Sequence, residues 1–259
     1  MVVITGGGTG IGAATAERFA DEGALVTVVG RRPEPLAEVA TRIGARFVVA
    51  DASSHEQMHA AVAEVLERHG GIDVLVANAG GHGLSPAGET DDAEWDLALR
   101  SNLTSAFVAA RESLPALTAS RGQIVVVSSL AGLFAGPGVA GYTVGKHALI
   151  GLTRSLARDY GRWGVRVNAV CPGWVRTPMA DAEMDALIAQ VGLPDREAGY
   201  RLVTEDVPIG RPAEPAEIAA IIRFLGSGES SCMTGALLVA DGGAHVVDLP
   251  TLAFANAGL

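Results

Sequence analysis

The chain has 259 residues, 49% of them hydrophobic and 19% charged, so it can bury a large core and global disorder is excluded. A formal net charge of −10 argues against a nucleic acid or an anionic membrane as partner, since either would demand a basic patch. Cys171 and Cys232 stand in no CxxC or CxxH context, which points away from a metal site. Together with the missing signal-peptide pattern, they lead to the expectation of a reduced, cytoplasmic protein.

Short apolar, β-branched runs recur along the chain. VVIT (2–5) is followed at once by the glycine-rich turn TGGGTGIG (5–12), which opens the helical stretch 13–23. Further runs are LVTVVG (25–30), RFVVAD (46–51), DVLVANAG (73–80), QIVVVSS (123–129), VRVNAVCPG (165–173) and ALLVADGG (236–243). Nearly all are apolar on both faces, as strands of a covered parallel sheet must be. Helical stretches such as 55–70 and 145–161 fall between them. The pattern predicts an α/β fold: a doubly wound parallel sheet of seven strands (a Rossmann fold), helices on both faces, in one domain over 1–259. No apolar run is long enough to cross a membrane. Residues 179–213 break the rhythm, being helical in pattern but interrupted by Pro194, Gly199, Pro208 and Pro212, and form a candidate substrate-binding lid.

The turn at 5–12 has the context of a phosphate-binding loop, strand before and helix after. Gly6 permits the tight turn, Gly10 lets the backbone approach a pyrophosphate, and Gly12 allows helix to pack on strand. Gly8, Thr9 and Ile11 complete the expected cradle, with the anion on the helix N-terminus.

Of the 19 Lys and Arg residues, only Lys146 is a lysine, and it follows Tyr142 by four positions in YTVGK. Four apart on a helix, the two side chains share a face. A free tyrosine, with a pKa of about 10, is a poor acid or base at neutral pH. A neighbouring ammonium is expected to lower that value into a useful range. Lysine can also reach sugar hydroxyls and a relay water, whereas a guanidinium is larger and cannot give up a proton.

These motifs together resemble the short-chain dehydrogenase/reductase family in its compact branch, over nearly the whole chain. TGGGTGIG is similar to the family's cofactor turn. Asp51, followed by Ala52, resembles the aspartate that contacts adenine, and Asn78, Ala79 and Gly80 resemble its sheet-stabilising NAG motif. Asn102 lies forty residues and Ser129 thirteen residues before Tyr142, the family's intervals for its helix-kinking asparagine and catalytic serine. PGWVRT (172–177) resembles the segment that holds the nicotinamide, implying contacts from Pro172, Gly173, Val175 and Thr177.

The resemblance implies a nicotinamide-dependent oxidoreductase interconverting a ketone and a secondary alcohol. Tyr142 would be the general acid/base, Ser129 would orient the substrate oxygen, and Lys146 with Asn102 would hold ribose and a relay water. The second strand ends on Gly30 rather than an acidic residue that would accept a ribose 2′-OH, and Arg31 and Arg32 follow. A guanidinium there can pair with a 2′-phosphate, so NADP(H) is favoured over NAD(H). Alongside Ser129 and Tyr142, the substrate pocket is expected to use His82, Leu130, Val139, Trp174, Met179 and Tyr200, a largely apolar set suited to an uncharged or cyclic carbonyl or alcohol. The apolar tail 248–259 is expected to pack on a neighbouring subunit, and the resemblance implies a homotetramer. Alternatives left open are a 3-oxoacyl-thioester reductase, an epimerase or dehydratase on the same scaffold, and a non-catalytic cofactor sensor. A Tyr–Lys spacing of four rather than seven points away from enoyl reduction, and the intact Ser–Tyr–Lys set favours an enzyme over a sensor.

Overall fold

The computed structural model describes residues 1–258; Leu259, the last residue of the tail, lies outside the described residues. The seven strands are β1 (Val2–Thr5), β2 (Val26–Gly30), β3 (Arg46–Val49), β4 (Val74–Ala77), β5 (Gln123–Val127), β6 (Arg166–Pro172) and β7 (Leu237–Ala240). They form one sheet, all pairs parallel, in the order β3-β2-β1-β4-β5-β6-β7. Every strand predicted from sequence is present, shorter by a residue or more in most cases.

Period-two alternation sends successive side chains to two separate cores. Val3, Leu75, Ile124, Val126 and Val167 point to one face, where α3 (His55–His69), α5 (Ser105–Ser120) and α6 (Ala140–Tyr160) add Met58, Leu117 and Leu149. Val2, Ile4, Val28, Val76 and Val125 point to the other, where α1 (Gly10–Asp21), α2 (Pro33–Ile43) and α9 (Pro215–Leu225) add Phe19, Leu36 and Ile222. Both faces are covered, which is why the strands are apolar throughout. The exception is β3, where Phe47 is 39% and Val49 50% exposed, because this strand ends the sheet.

Strand order reverses between β1 and β4, and at such a switch point a crevice opens beyond the carboxyl ends of the strands. Two helices lie between β6 and β7, α7 (Pro178–Val191) and α8 (Arg196–Val203), and the first turns of α7 line the crevice. Thr177 caps α7 by accepting from the Ala180 N–H at 3.2 Å, and Pro178 sits at its first position. Gly199 does not break this segment as its residue type suggested. It lies inside α8, where an added Cβ would approach Ile188 to 3.0 Å, so it is a packing glycine. Among the described residues, no helix is long and apolar enough to cross a membrane.

Candidate active site

The crevice is a cleft of about 1090 Å³, large for a single small ligand and roomy enough for a dinucleotide with a substrate beside it. One end is floored by the β1–α1 turn. Gly6 and Gly10 adopt φ values of 65° and 54°, which only glycine takes without strain. Asn78 locks this turn to the end of β4, its side-chain amide donating to the carbonyls of Thr5 and Gly6 at 3.0 and 3.1 Å. The Thr5 hydroxyl in return accepts from the N–H groups of Asn78 and Ala79. At the start of α1, Thr9 gives no side-chain cap and the first turn holds no acidic residue. Its unpaired N–H groups therefore suit an anion, and the residues present fit a dinucleotide pyrophosphate.

Gly12 does not line the cleft. A Cβ there would meet the Gly6 carbonyl oxygen at 2.2 Å, so its role is the close packing of α1 on the turn. Gly12→Ala is expected to lower Tm by about 5 °C or more and to weaken nucleotide binding, because backbone must shift to admit the methyl. A variant melting like the wild type in a thermal scan would remove this constraint.

Beyond the turn the cleft passes Asp51 and Ala52. Burial works to raise the Asp51 carboxyl, but the Ser53 N–H and hydroxyl, bonded at 2.9 and 2.8 Å, together with Arg31 and Arg100, outweigh it and hold the group below its ordinary range. Arg31 and Arg32 line the same end, with Gly30 between them and the sheet. Pro172, Gly173, Val175 and Thr177 also line the cleft, as do Gly8, Ile11 and Gly80.

The other end holds Ser129 and Tyr142. Ser129 follows β5 and accepts from the Ala131 N–H at 3.1 Å, which fixes its side chain at the strand end. Tyr142 sits in the first turn of α6, and Lys146 lies one turn on and beneath it, 4% exposed. The Lys146 ammonium donates to the Val127 carbonyl at 3.0 Å and stands 5.5 Å from the centre of the Tyr142 ring. Asn102 is fully buried in a π-turn (Arg100–Thr104) that kinks the junction between α4 (Asp92–Leu99) and α5. Its amide donates to the carbonyls of His82 and Ala98 at 2.8 and 3.0 Å, and its oxygen accepts from the Gly81 N–H at 2.9 Å. Gly80 joins the two groups, since a Cβ there would lie 2.9 Å from Asn102 Oδ1 and 3.3 Å from Lys146 Nζ.

The electrostatics differ from the sequence-based expectation. Burial pushes the Tyr142 phenol up; the Ser129 hydroxyl pulls it back and the Glu183 carboxylate pushes it further, so the net direction is upward, not downward. Lys146 does not relieve it because its ammonium is turned to the Val127 carbonyl. Burial brings Lys146 itself down to about 8, with the Cys171 thiol opposing. At neutral pH the site thus holds a protonated phenol above an ammonium brought down to about 8.

Leu130, Val139, Trp174 and Met179 line the Tyr142 end as expected. Tyr200 does not. It is fully buried in a small core with Ala180 and Met184 beneath α7, and its hydroxyl donates to Asp181 at 2.8 Å. His82 also stays out of the cleft lining and contributes a backbone carbonyl to Asn102. Lys146 and Asn102 stand behind the lining, not in it. Leu84, Leu97, Phe134 and Glu183 line the cleft without having been singled out. For Glu183 the signal was its position, one helical turn from Met179.

A family model described as enoyl-(acyl carrier protein) reductase matches residues 6–245. The chain is 48% identical over 256 residues to the protein MoaE of Klebsiella aerogenes, a match spanning 98% of this chain and 99% of that one. It is 36% identical to meso-2,3-butanediol dehydrogenase of Serratia marcescens, over 96% of this chain and 95% of the relative. Among solved structures, that of levodione reductase superposes with a TM-score of 0.90 at 33% identity, covering 95% and 98% of the two chains. On this breadth of similarity the chain belongs to the short-chain dehydrogenase/reductase family, nicotinamide-dependent oxidoreductases acting on CH–OH and C=O groups.

Proposed function

We propose that this chain interconverts a ketone and a secondary alcohol, with Tyr142 as the proton donor and acceptor and NADP(H) as the preferred cofactor. The reading rests chiefly on the placement of Ser129 and Tyr142 together on the wall of the cleft that the glycine-rich turn floors, with Lys146 buried directly beneath. When bound, the cofactor supplies or accepts the hydride. Ser129 hydrogen-bonds the substrate oxygen and fixes the carbonyl. Tyr142, protonated at rest, gives its proton to that oxygen as negative charge develops there. Lys146, with Asn102 positioning a relay water, returns the proton to Tyr142. Alcohol oxidation runs the same path in reverse. Gly81 and Gly83 carry the backbone past this cluster; a Cβ on Gly83 would meet the Tyr142 N at 2.6 Å, so the loop presses against the start of α6.

Preference for NADP(H) is supported by Arg31, which stands at the cleft beside Gly30 where an acidic residue would serve NAD(H). Arg31→Ala is expected to weaken NADPH binding about 10- to 100-fold and to leave NADH within about threefold. Fluorescence titration with both nucleotides measures this; equal losses for the two would make Arg31 a general surface charge. The α7–α8 segment serves as a lid, supported by Met179 crossing to within 2.8 Å of a Cβ built on Gly81. Homotetramer assembly is supported by exposed Phe107 and Val144 on α5 and α6 and by Leu249, 73% exposed, in the tail. A solution mass by light scattering decides it.

A further inference from the structure

Three carboxylates follow one another along the outer and inner faces of α7. Asp181 takes the Tyr200 hydroxyl and lies 3.3 Å from Arg196, and Asp185 is paired with Arg196 at 2.6 Å. Glu183, between them, turns the other way. It lines the cleft half-buried, and among the described residues it has no hydrogen-bond or ion-pair partner. Leu84, Leu130, Phe134, Val139, Trp174 and Met179 line the same cleft and are apolar. The cationic groups that line the cleft, Arg31, Arg32 and Arg100, belong to the end that holds Asp51. Among the described residues, Glu183 is thus the one carboxyl group that lines the cleft away from Asp51, and it is unpaired.

A partly desolvated carboxylate costs free energy unless a cation or donors compensate it. Among the described residues nothing compensates Glu183. Burial raises its pKa, and its charge in turn raises that of Tyr142, so the two groups sense one another across the pocket. A ligand ammonium placed between them would relieve both costs, while a neutral alkyl group in its place would leave the carboxylate unpaired.

We infer that Glu183 is a specificity-determining residue that recognises a protonated amine, so that amino ketones and amino alcohols are the substrate class. This rests on the oxidoreductase reading above, and it replaces the expectation of an uncharged substrate. The ion pair forms within a partly desolvated pocket, where removing one partner costs far more than at an exposed surface.

The test compares ketones that differ only by an ammonium against a methyl: aminoacetone with butanone, and phenacylamine with propiophenone. In the wild type, kcat/KM is expected to favour the amine of each pair by at least about tenfold, with Glu183→Gln bringing the ratio to about one and Glu183→Asp restoring part of it. A binding readout independent of turnover uses phenethylamine against propylbenzene, followed by tryptophan fluorescence in the NADPH complex. Amine binding that Glu183→Gln abolishes, with no ketone reduced, keeps the amine site and overturns the oxidoreductase reading. Reduction of both ketones of a pair at equal efficiency, or an amine preference that survives Glu183→Gln, overturns the inference and leaves the oxidoreductase reading standing.

Discussion

Replacing Tyr142 with Phe is expected to lower turnover about a thousandfold or more while leaving NADPH affinity within about threefold. The change removes one oxygen and keeps the ring, so the packing at the start of α6 stays intact. What is lost is the phenol hydroxyl that the proposed mechanism uses as proton donor, beside Ser129 on the cleft wall. Burial pushes that phenol further up from its ordinary value, so it rests protonated. The loss should thus fall on kcat for ketone reduction and not on KM for the nucleotide. Steady-state kinetics alongside nucleotide titration separates the two, and a variant that keeps substantial turnover removes Tyr142 from the chemistry.

Lys146→Arg should be nearly as damaging, for two reasons that can be told apart. The ammonium is 4% exposed, held by the Val127 carbonyl at 3.0 Å and by the close approach of Gly80. A guanidinium needs more room there, and overpacking of this kind costs about 1–3 kcal/mol of stability. It also cannot release a proton, whereas Lys146, brought down to about 8 by burial, can. We expect kcat to fall about a hundredfold or more. Lys146→Met supplies the control for volume: it fits the space and lacks the charge. Equal loss in both variants assigns the effect to the ammonium, and loss in the arginine variant alone assigns it to crowding. Full activity in the arginine variant would make the lone lysine an accident of composition.

Much of this architecture was legible in the residues because the sheet is covered on both faces. Strands such as VVIT and QIVVV are apolar without alternation, and glycine-rich or acidic turns punctuate them. Edge position was not legible: Phe47 and Val49 read as core residues, yet they are exposed because β3 has no neighbour on one side. That follows from strand order, which local sequence does not encode. The α7–α8 segment carried the other misreadings. Tyr200 has the composition of a pocket aromatic, but two helices packed on one another need a core of their own, and Tyr200 with Met184 provides it. Glu183 was passed over because an acidic residue in a helix usually faces solvent. Its spacing from Met179 placed it on the same face, and only the packing of α7 against the cleft makes that face part of the lining.

The Tyr142–Lys146 pair shows the limit of reading electrostatics from spacing alone. Four residues on a helix fixed their proximity, and an ammonium near a phenol favours the phenolate. The sign of the result depended on where the ammonium points and how dry the phenol is, and here desolvation outweighs the charge.

Incubating the purified protein with NADPH and the two ketone pairs, following loss of the reduced nicotinamide and identifying the product, tests the proposed reaction. NADPH consumption is expected to be matched one for one by a secondary alcohol and abolished in Tyr142→Phe. Tight NADPH binding with no consumption on any ketone, and none of NADP⁺ on the corresponding alcohols, would contradict it and leave a nucleotide-binding protein without this chemistry.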